Sequence, residues 1–152
     1  MKVRRQRVSI IVIHEGKILG FHAEDPFSKK RYFFLPGGEI EQGEGLIAAA
    51  LREAFEETGY QVDVIRGLHL RRHYDFEWNG IVHDCVTDFL AGRLKSITSQ
   101  PVEDASYHRG VDWVSVDDID TVFGYNADIA DAVRQLTHEL TAIKKSVGPH
   151  EA

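Results

Sequence analysis

The stretch from Gly38 to Tyr60 constrains this chain more tightly than any other part of its sequence. It reads Gly38, five residues, Glu44, seven residues, then Arg52-Glu53-Ala54-Phe55-Glu56-Glu57-Thr58-Gly59-Tyr60. Five charged groups therefore stand at fixed spacing between two loop glycines. Seven positions are specified by type, and at an average usage of about one in fifteen per residue a chance match in the chain is on the order of one in a million. A helix is expected from about Gly45 to Thr58, entered from a loop at Pro36-Gly37-Gly38. Gly59 suits the left-handed turn that closes a helix.

At roughly 100° per residue, Ile47, Ala50, Leu51, Ala54 and Thr58 share one face of that helix, and Glu53, Glu56 and Glu57 lie on an adjacent arc. One side packs and the other can chelate. Like charges at these spacings weaken a helix by a few tenths of a kcal/mol each, roughly, so something must offset them. A hard cation with oxygen ligands does so, and Mg²⁺ or Mn²⁺ suits carboxylates better than Zn²⁺, which favours His or Cys. Arg52 can reach Glu56 one turn on and hold that carboxylate in one rotamer. A merely solvated acidic helix face does not account for Gly38, Glu44 and Gly59 at their spacings.

Every specified position matches the Nudix box, and the chain resembles the Nudix hydrolases over these twenty-three of its 152 residues. The resemblance implies an α/β fold, an α/β/α sandwich with a mixed central sheet. It implies hydrolysis of a nucleoside diphosphate linked to another group. Metal ligands would then be Glu53, Glu56 and Glu57 with the Gly38 carbonyl, the cofactor Mg²⁺ with Mn²⁺ as a substitute, and Glu44 a support from the loop. An acidic pocket accepts a pyrophosphate only where metal ions bridge carboxylate and phosphate oxygens. Catalysis is assigned to Glu53 and Glu56, with Arg52 in support. The general base is either one of these glutamates or a distant loop acid, Glu103 or its neighbour Asp104.

At 152 residues and 43% apolar, the chain suffices for one core and not for two ordinary domains. The expectation is a single domain over residues 1–145 and a frayed tail over residues 146–152. Net charge is 18 minus 24, or −6, with no long basic run. That argues against a sequence-independent grip on polymeric nucleic acid and leaves small anionic nucleotides as partners. The lone Cys85 excludes an intrachain disulfide. Val8 to Ile13 is too short for a signal-peptide core, and no apolar run spans a membrane, so a cytoplasmic enzyme is expected. The resemblance also admits a homodimer.

Periodicity places strands at Arg7–His14 and Ile18–His22 around a turn at Glu15-Gly16-Lys17, and a short aromatic strand at Arg31–Leu35. Val62–Tyr74 reads as one long strand or two, with Gly67 as a bulge, pairing antiparallel with Ile81–Leu90 across Trp78-Asn79-Gly80. Asp104–Gly110 reads as loop, Val111–Val114 as a strand and Ser115 as a helix cap. Ile129, Ala130, Val133, Leu136, Leu140 and Ile143 mark a terminal amphipathic helix over 126–145.

Substrate choice must come from outside the box. Arg71, Arg72, His73 and Tyr74, with Trp78, offer cations for phosphate and rings for stacking. Arg31 and Tyr32 before the box are equally eligible, as are Arg5 and Arg7 on the first strand. The competing explanation of the Arg71 cluster is an edge strand protected by charge. None of the eight histidines has metal-ligand spacing, which points to ordinary hydrogen-bonded roles. Three functions compete: a pyrophosphohydrolase of free nucleoside triphosphates, the same chemistry on ADP-ribose or nucleotide sugars, and a non-catalytic nucleotide sensor. The compact single domain leans towards triphosphates, and intact Glu53, Glu56 and Glu57 argue against the sensor. Processing of RNA 5′ ends would call for a basic groove that the charge balance does not display.

Overall fold

Alternation along the first strand decides the layering. Val8, Ile10 and Val12 pack with Leu19, Val62 and Leu90 against Ala49, Ala50 and Ala54, whose small side chains let the box helix approach the sheet closely. Ile11 faces the other way, into a second core with Phe33, Phe89 and the Ala130, Val133 and Leu136 face of the terminal helix. One strand thus carries two cores, and a helix closes each.

The structure, a computed structural model, describes residues 2–102 and 105–147. The strands are β1 (Val3–His14), β2 (Lys17–Glu24), β3 (Arg31–Phe34), β4 (Gly37–Glu39), β5 (Tyr60–Trp78), β6 (Ile81–Ser99) and β7 (His108–Ser115). The box helix α1 (Leu46–Thr58) lies between β4 and β5, and α2 (Ile119–Val122) and α3 (Ala127–Val147) follow β7. Strand order is β3-β2-β1-β6-β5, with β4 also on β1 and β7 also on β2. The β1–β6 ladder is parallel, from Val3 opposite His83 to Val12 opposite Gly92, and the other pairings are antiparallel. A mixed seven-stranded sheet between helices is the α/β/α sandwich expected from the sequence.

Several boundaries differ from the sequence reading. The first strand begins at Val3 rather than Arg7, because the distant β6 supplies its ladder partners. Pro36-Gly37-Gly38 is not only a turn: Gly37 to Glu39 pairs with Ser9, Val8 and Arg7. A Cβ on Gly37 would lie 2.3 Å from the Val8 carbonyl oxygen, so glycine is what lets β4 seat there. The fifth strand is continuous, and its register shifts between Ile65 and His69, around Gly67 at φ 91°. Asn79 and Gly80, both at positive φ, form the two-residue turn to β6.

Hairpin and sheet are also tied from outside. Asp25 is buried, and its carboxylate accepts the backbone N–H groups of Phe27 at 2.8 Å, Ser28 at 3.2 Å and Asn79 at 3.1 Å. These bonds hold its carboxyl below the ordinary range despite the burial that opposes them. The Asn126 side chain caps α3 by accepting from Asp128 and Ile129 N–H. The helix extends through Val147, and residues 148–152 of the expected tail lie outside the described residues. Ile143 on the same helix is exposed, whereas Leu136 is fully buried. Among the described residues no helix is long and apolar enough to cross a membrane.

Candidate active site

Gly59 ends α1 at φ 76°, its N–H donating to the Phe55 carbonyl, and a Cβ there would come within 1.9 Å of the Gln100 carbonyl oxygen. The helix is thereby fixed in register against the end of β6. At its other end, a Cβ on Gly38 would meet Glu53 Oε1 at 2.6 Å, so the glycine makes the space that the Glu53 carboxylate occupies.

Arg52 organises the acidic arc. Its guanidinium grips Glu44 with two prongs, Nε to Oε2 at 2.8 Å and Nη2 to Oε1 at 2.9 Å. Nη1 donates to Glu53 Oε1 at 2.8 Å and more distantly to Glu56 Oε2 at 3.3 Å. The Arg52–Glu56 contact expected from helical spacing is present, but the loop residue Glu44 and the neighbouring Glu53 hold the arginine more closely. The two-pronged bond is what draws the Glu44 carboxyl down to about 2.

Glu57 turns inward, where the Gly37 N–H donates to its Oε1 at 2.7 Å. Burial pushes its carboxyl up to about 8, and the charge of Glu53 adds to the rise. Burial also raises Glu53, against the opposing pull of Arg52. The main-chain carbonyl of Glu57 accepts from His108 Nε2 at 2.9 Å, tying the helix to β7. The Glu56 side chain is 58% exposed and lies on the outer side of the arc.

Among the described residues no three His, Cys, Asp or Glu side chains converge tightly enough to enclose an ion. The donor chemistry nonetheless fits a hard cation. Glu53 and Glu57 are oxygen donors whose carboxyls are both raised by burial and by neighbouring carboxylate charge, which a divalent cation held there would offset.

These carboxylates open into a cavity of about 360 Å³. Gly37, Gly38, Glu53 and Glu57 form one side, and Arg5, Arg7 and Ser9 of β1 form the floor with His83 and Cys85 of β6. Tyr74, Phe76 and Trp78, alternate residues of β5, continue the wall with Phe34, Tyr107 and Tyr125. Trp78 meets Phe34 and Tyr107 at ring separations of 5.5 and 5.7 Å. Arg5 pairs with Glu39 at 3.1 Å. Arg7 has no ion-pair partner among the described residues, although its charge is felt by Glu53, Glu57 and Tyr74.

Of the substrate candidates named from sequence, Arg5, Arg7, Tyr74 and Trp78 line this cavity, the Tyr74 hydroxyl 2.9 Å from Thr87 Oγ1. Arg31, Arg71 and Arg72 are directed elsewhere. Arg31 pairs with Glu24 at 2.9 Å, Arg71 with the buried Asp88 at 3.0 Å, and Arg72 with Asp131 and Gln135 of α3. Strand geometry explains Arg71: an odd number of positions separates it from Tyr74, so it emerges on the opposite face. Arg72 shares the Tyr74 face but lies under α3. Glu103 is outside the described residues. Phe34, Phe76, Tyr107 and Tyr125 went unremarked in the sequence reading, although the alternation of Tyr74, Phe76 and Trp78 was a usable signal.

The sequence matches the NUDIX domain family over residues 3–138. No curated protein matches it. Among solved structures, a NUDIX hydrolase from Nitrosomonas europaea is 21% identical, with a TM-score of 0.67 over 91% of this chain and 89% of its own. An Ap4A hydrolase from C. elegans is 19% identical, with a TM-score of 0.68 over 92% and 98%. An ADP-ribose pyrophosphatase from Streptococcus suis is 18% identical, with a TM-score of 0.59 over 89% and 90%. With the complete box seated on this fold and the family match running through nearly the whole chain, the protein belongs to the NUDIX domain family and is a Nudix hydrolase.

Proposed function

We propose that the chain is a Mg²⁺-dependent pyrophosphohydrolase that cleaves the diphosphate linkage of a free nucleoside triphosphate or nucleoside diphosphate derivative, with Mn²⁺ as a substitute cation. The observation that carries this reading is a cavity with clustered carboxylates at one side, a guanidinium on its floor with no ion-pair partner among the described residues, and aromatic rings on its wall. A diphosphate bearing an aromatic base is complementary to those three features together.

The Gly38 carbonyl, Glu53, Glu56 and Glu57 would hold the cation. The chemistry such a cation would supply there is neutralisation of phosphate charge and a lowered pKa for water. Arg52, anchored on Glu44, keeps Glu53 pointed at the cavity. Arg7 lines the same space and has no ion-pair partner among the described residues, which leaves its charge for an anionic group. The general base is Glu56 or Glu53 of the box, or Glu103. Glu57, seated on the Gly37 N–H, serves as ligand.

Hydrolysis of ADP-ribose or a nucleotide sugar is the alternative of the same chemistry, and the Streptococcus suis neighbour is an ADP-ribose pyrophosphatase. A non-catalytic sensor is the alternative of another class, and the intact glutamates speak against it. A homodimer in the cytoplasm is part of this reading. The test is an Mg²⁺-dependent hydrolysis screen over dNTPs, NTPs, ADP-ribose, nucleotide sugars and dinucleoside polyphosphates. Glu56→Gln should lose turnover while melting like the parent; full activity in that variant contradicts its role.

A further inference from the structure

Three tyrosines line the cavity, and two engage their hydroxyls within the protein: Tyr74 lies 2.9 Å from Thr87 Oγ1, and Tyr125 donates to the Phe33 carbonyl at 3.0 Å. Tyr107 differs. Its hydroxyl has no hydrogen-bond partner among the described residues, where the unpartnered polar atoms shut off from solvent are His83 Nδ1 and Thr137 Oγ1 alone, so the Tyr107 oxygen is accessible. The backbone beneath it is fixed on both sides. The Tyr107 carbonyl accepts from the Glu24 N–H at 3.0 Å, and the next residue, His108, stacks on Phe21 at 4.6 Å and donates from Nε2 to the Glu57 carbonyl at 2.9 Å. Tyr107 is thereby held beside the end of α1, and its ring meets Trp78 edge-on at 5.7 Å and 87°.

We infer that the Tyr107 hydroxyl is a further substrate-binding group, donating a hydrogen bond to a non-bridging phosphate oxygen of the nucleotide. The inference rests on the nucleotide reading above and adds a residue to it. Position chooses the acceptor: the residue spans the cavity, with its ring on the aromatic wall at Trp78 and its neighbour His108 on the Glu57 carbonyl. The charges that act on the hydroxyl, those of Glu57, Glu53 and Arg7, belong to the polar end, where the phosphates would lie. Burial and the two carboxylates raise the phenol above its ordinary range against the pull of Arg7, so it keeps its proton at neutral pH and donates. A neutral donor suits that place, because it bonds an anion without adding a charge that would repel a cation held by Glu53 and Glu57.

Steady-state kinetics at saturating Mg²⁺ tests this, on whichever class the parent cleaves, nucleoside triphosphates or nucleoside diphosphate sugars. Adenine, guanine and uracil nucleotides are compared, each with its 2′-deoxy and 3′-deoxy counterparts. Tyr107→Phe, which keeps the ring against Trp78, should lose roughly 10- to 100-fold in kcat/KM, and by the same factor for every base and sugar, because each substrate retains the phosphate oxygen. It should melt like the parent, since the hydroxyl bonds nothing within the described protein. Parental activity in Tyr107→Phe overturns the inference and leaves the hydrolase reading standing. So does a loss that vanishes with one base or one missing ribose hydroxyl, which would place the contact there, and so does a variant that melts far below the parent, which would give the hydroxyl a duty in the fold. A parent that turns over no nucleotide overturns both readings.

Discussion

The two sides of the cavity are built in opposite ways. The acidic side is one continuous segment, where a helix and its two flanking glycines bring Glu44, Arg52, Glu53 and Glu57 together by local geometry. The facing side draws Arg7 from β1, His83 from β6 and Phe76 and Trp78 from β5, residues that meet only because the sheet aligns them. The first can persist as a motif because its parts move together. The second can change one residue at a time, which is where a fold can vary its substrate while retaining its chemistry.

Substitutions that separate the two sides test this contrast. The largest effect belongs to the acidic side: Glu53→Gln should lower kcat by about 100-fold or more, at or beyond the upper end of what residues supporting a metal cost, with little change in melting. Arg7→Met follows, with kcat/KM down roughly 10- to 100-fold for loss of a charge-assisted contact and the loss falling mainly on KM. Glu44→Ala should cost about tenfold in activity and weaken Mg²⁺ binding, since it frees Arg52 from its two-pronged anchor. If Arg7→Met instead lowered kcat as far as Glu53→Gln, the division between a chemical side and a recognition side would fail.

The smallest effect is on stability. The folded, metal-free protein keeps a proton on Glu57 up to about pH 8, whereas the unfolded chain releases it near 4.5. Between those values the unfolded state binds fewer protons, so this group's stabilisation is complete below pH 4.5 and declines as pH rises towards 8. Thermal melts in EDTA should show that decline, and Glu57→Gln should flatten it. Saturating Mg²⁺ should also oppose it, because binding displaces the proton.

Legibility follows the same division. The box helix, its closing Gly59, the Asn79-Gly80 turn and the Gly67 irregularity were readable because each is a local event. The parallel pairing of β1 with β6 was not, since nothing in either strand names a partner about eighty residues away. The Arg71-Arg72 pair illustrates the cost. Charge and proximity to Tyr74 recommended both, but the sheet turned one outward to Asp88 and placed the other against α3. Arg7, which the sequence reading could rank no higher than the other basic candidates, lines the cavity instead.

That parallel ladder also has a consequence for how the molecule comes into being. As the chain leaves the ribosome, the box helix emerges well before residues 83–92, yet the strand it packs against lacks its central neighbour until they arrive. The nascent protein therefore carries its most acidic element on a half-finished platform, and enzymatic competence should appear abruptly, late in synthesis.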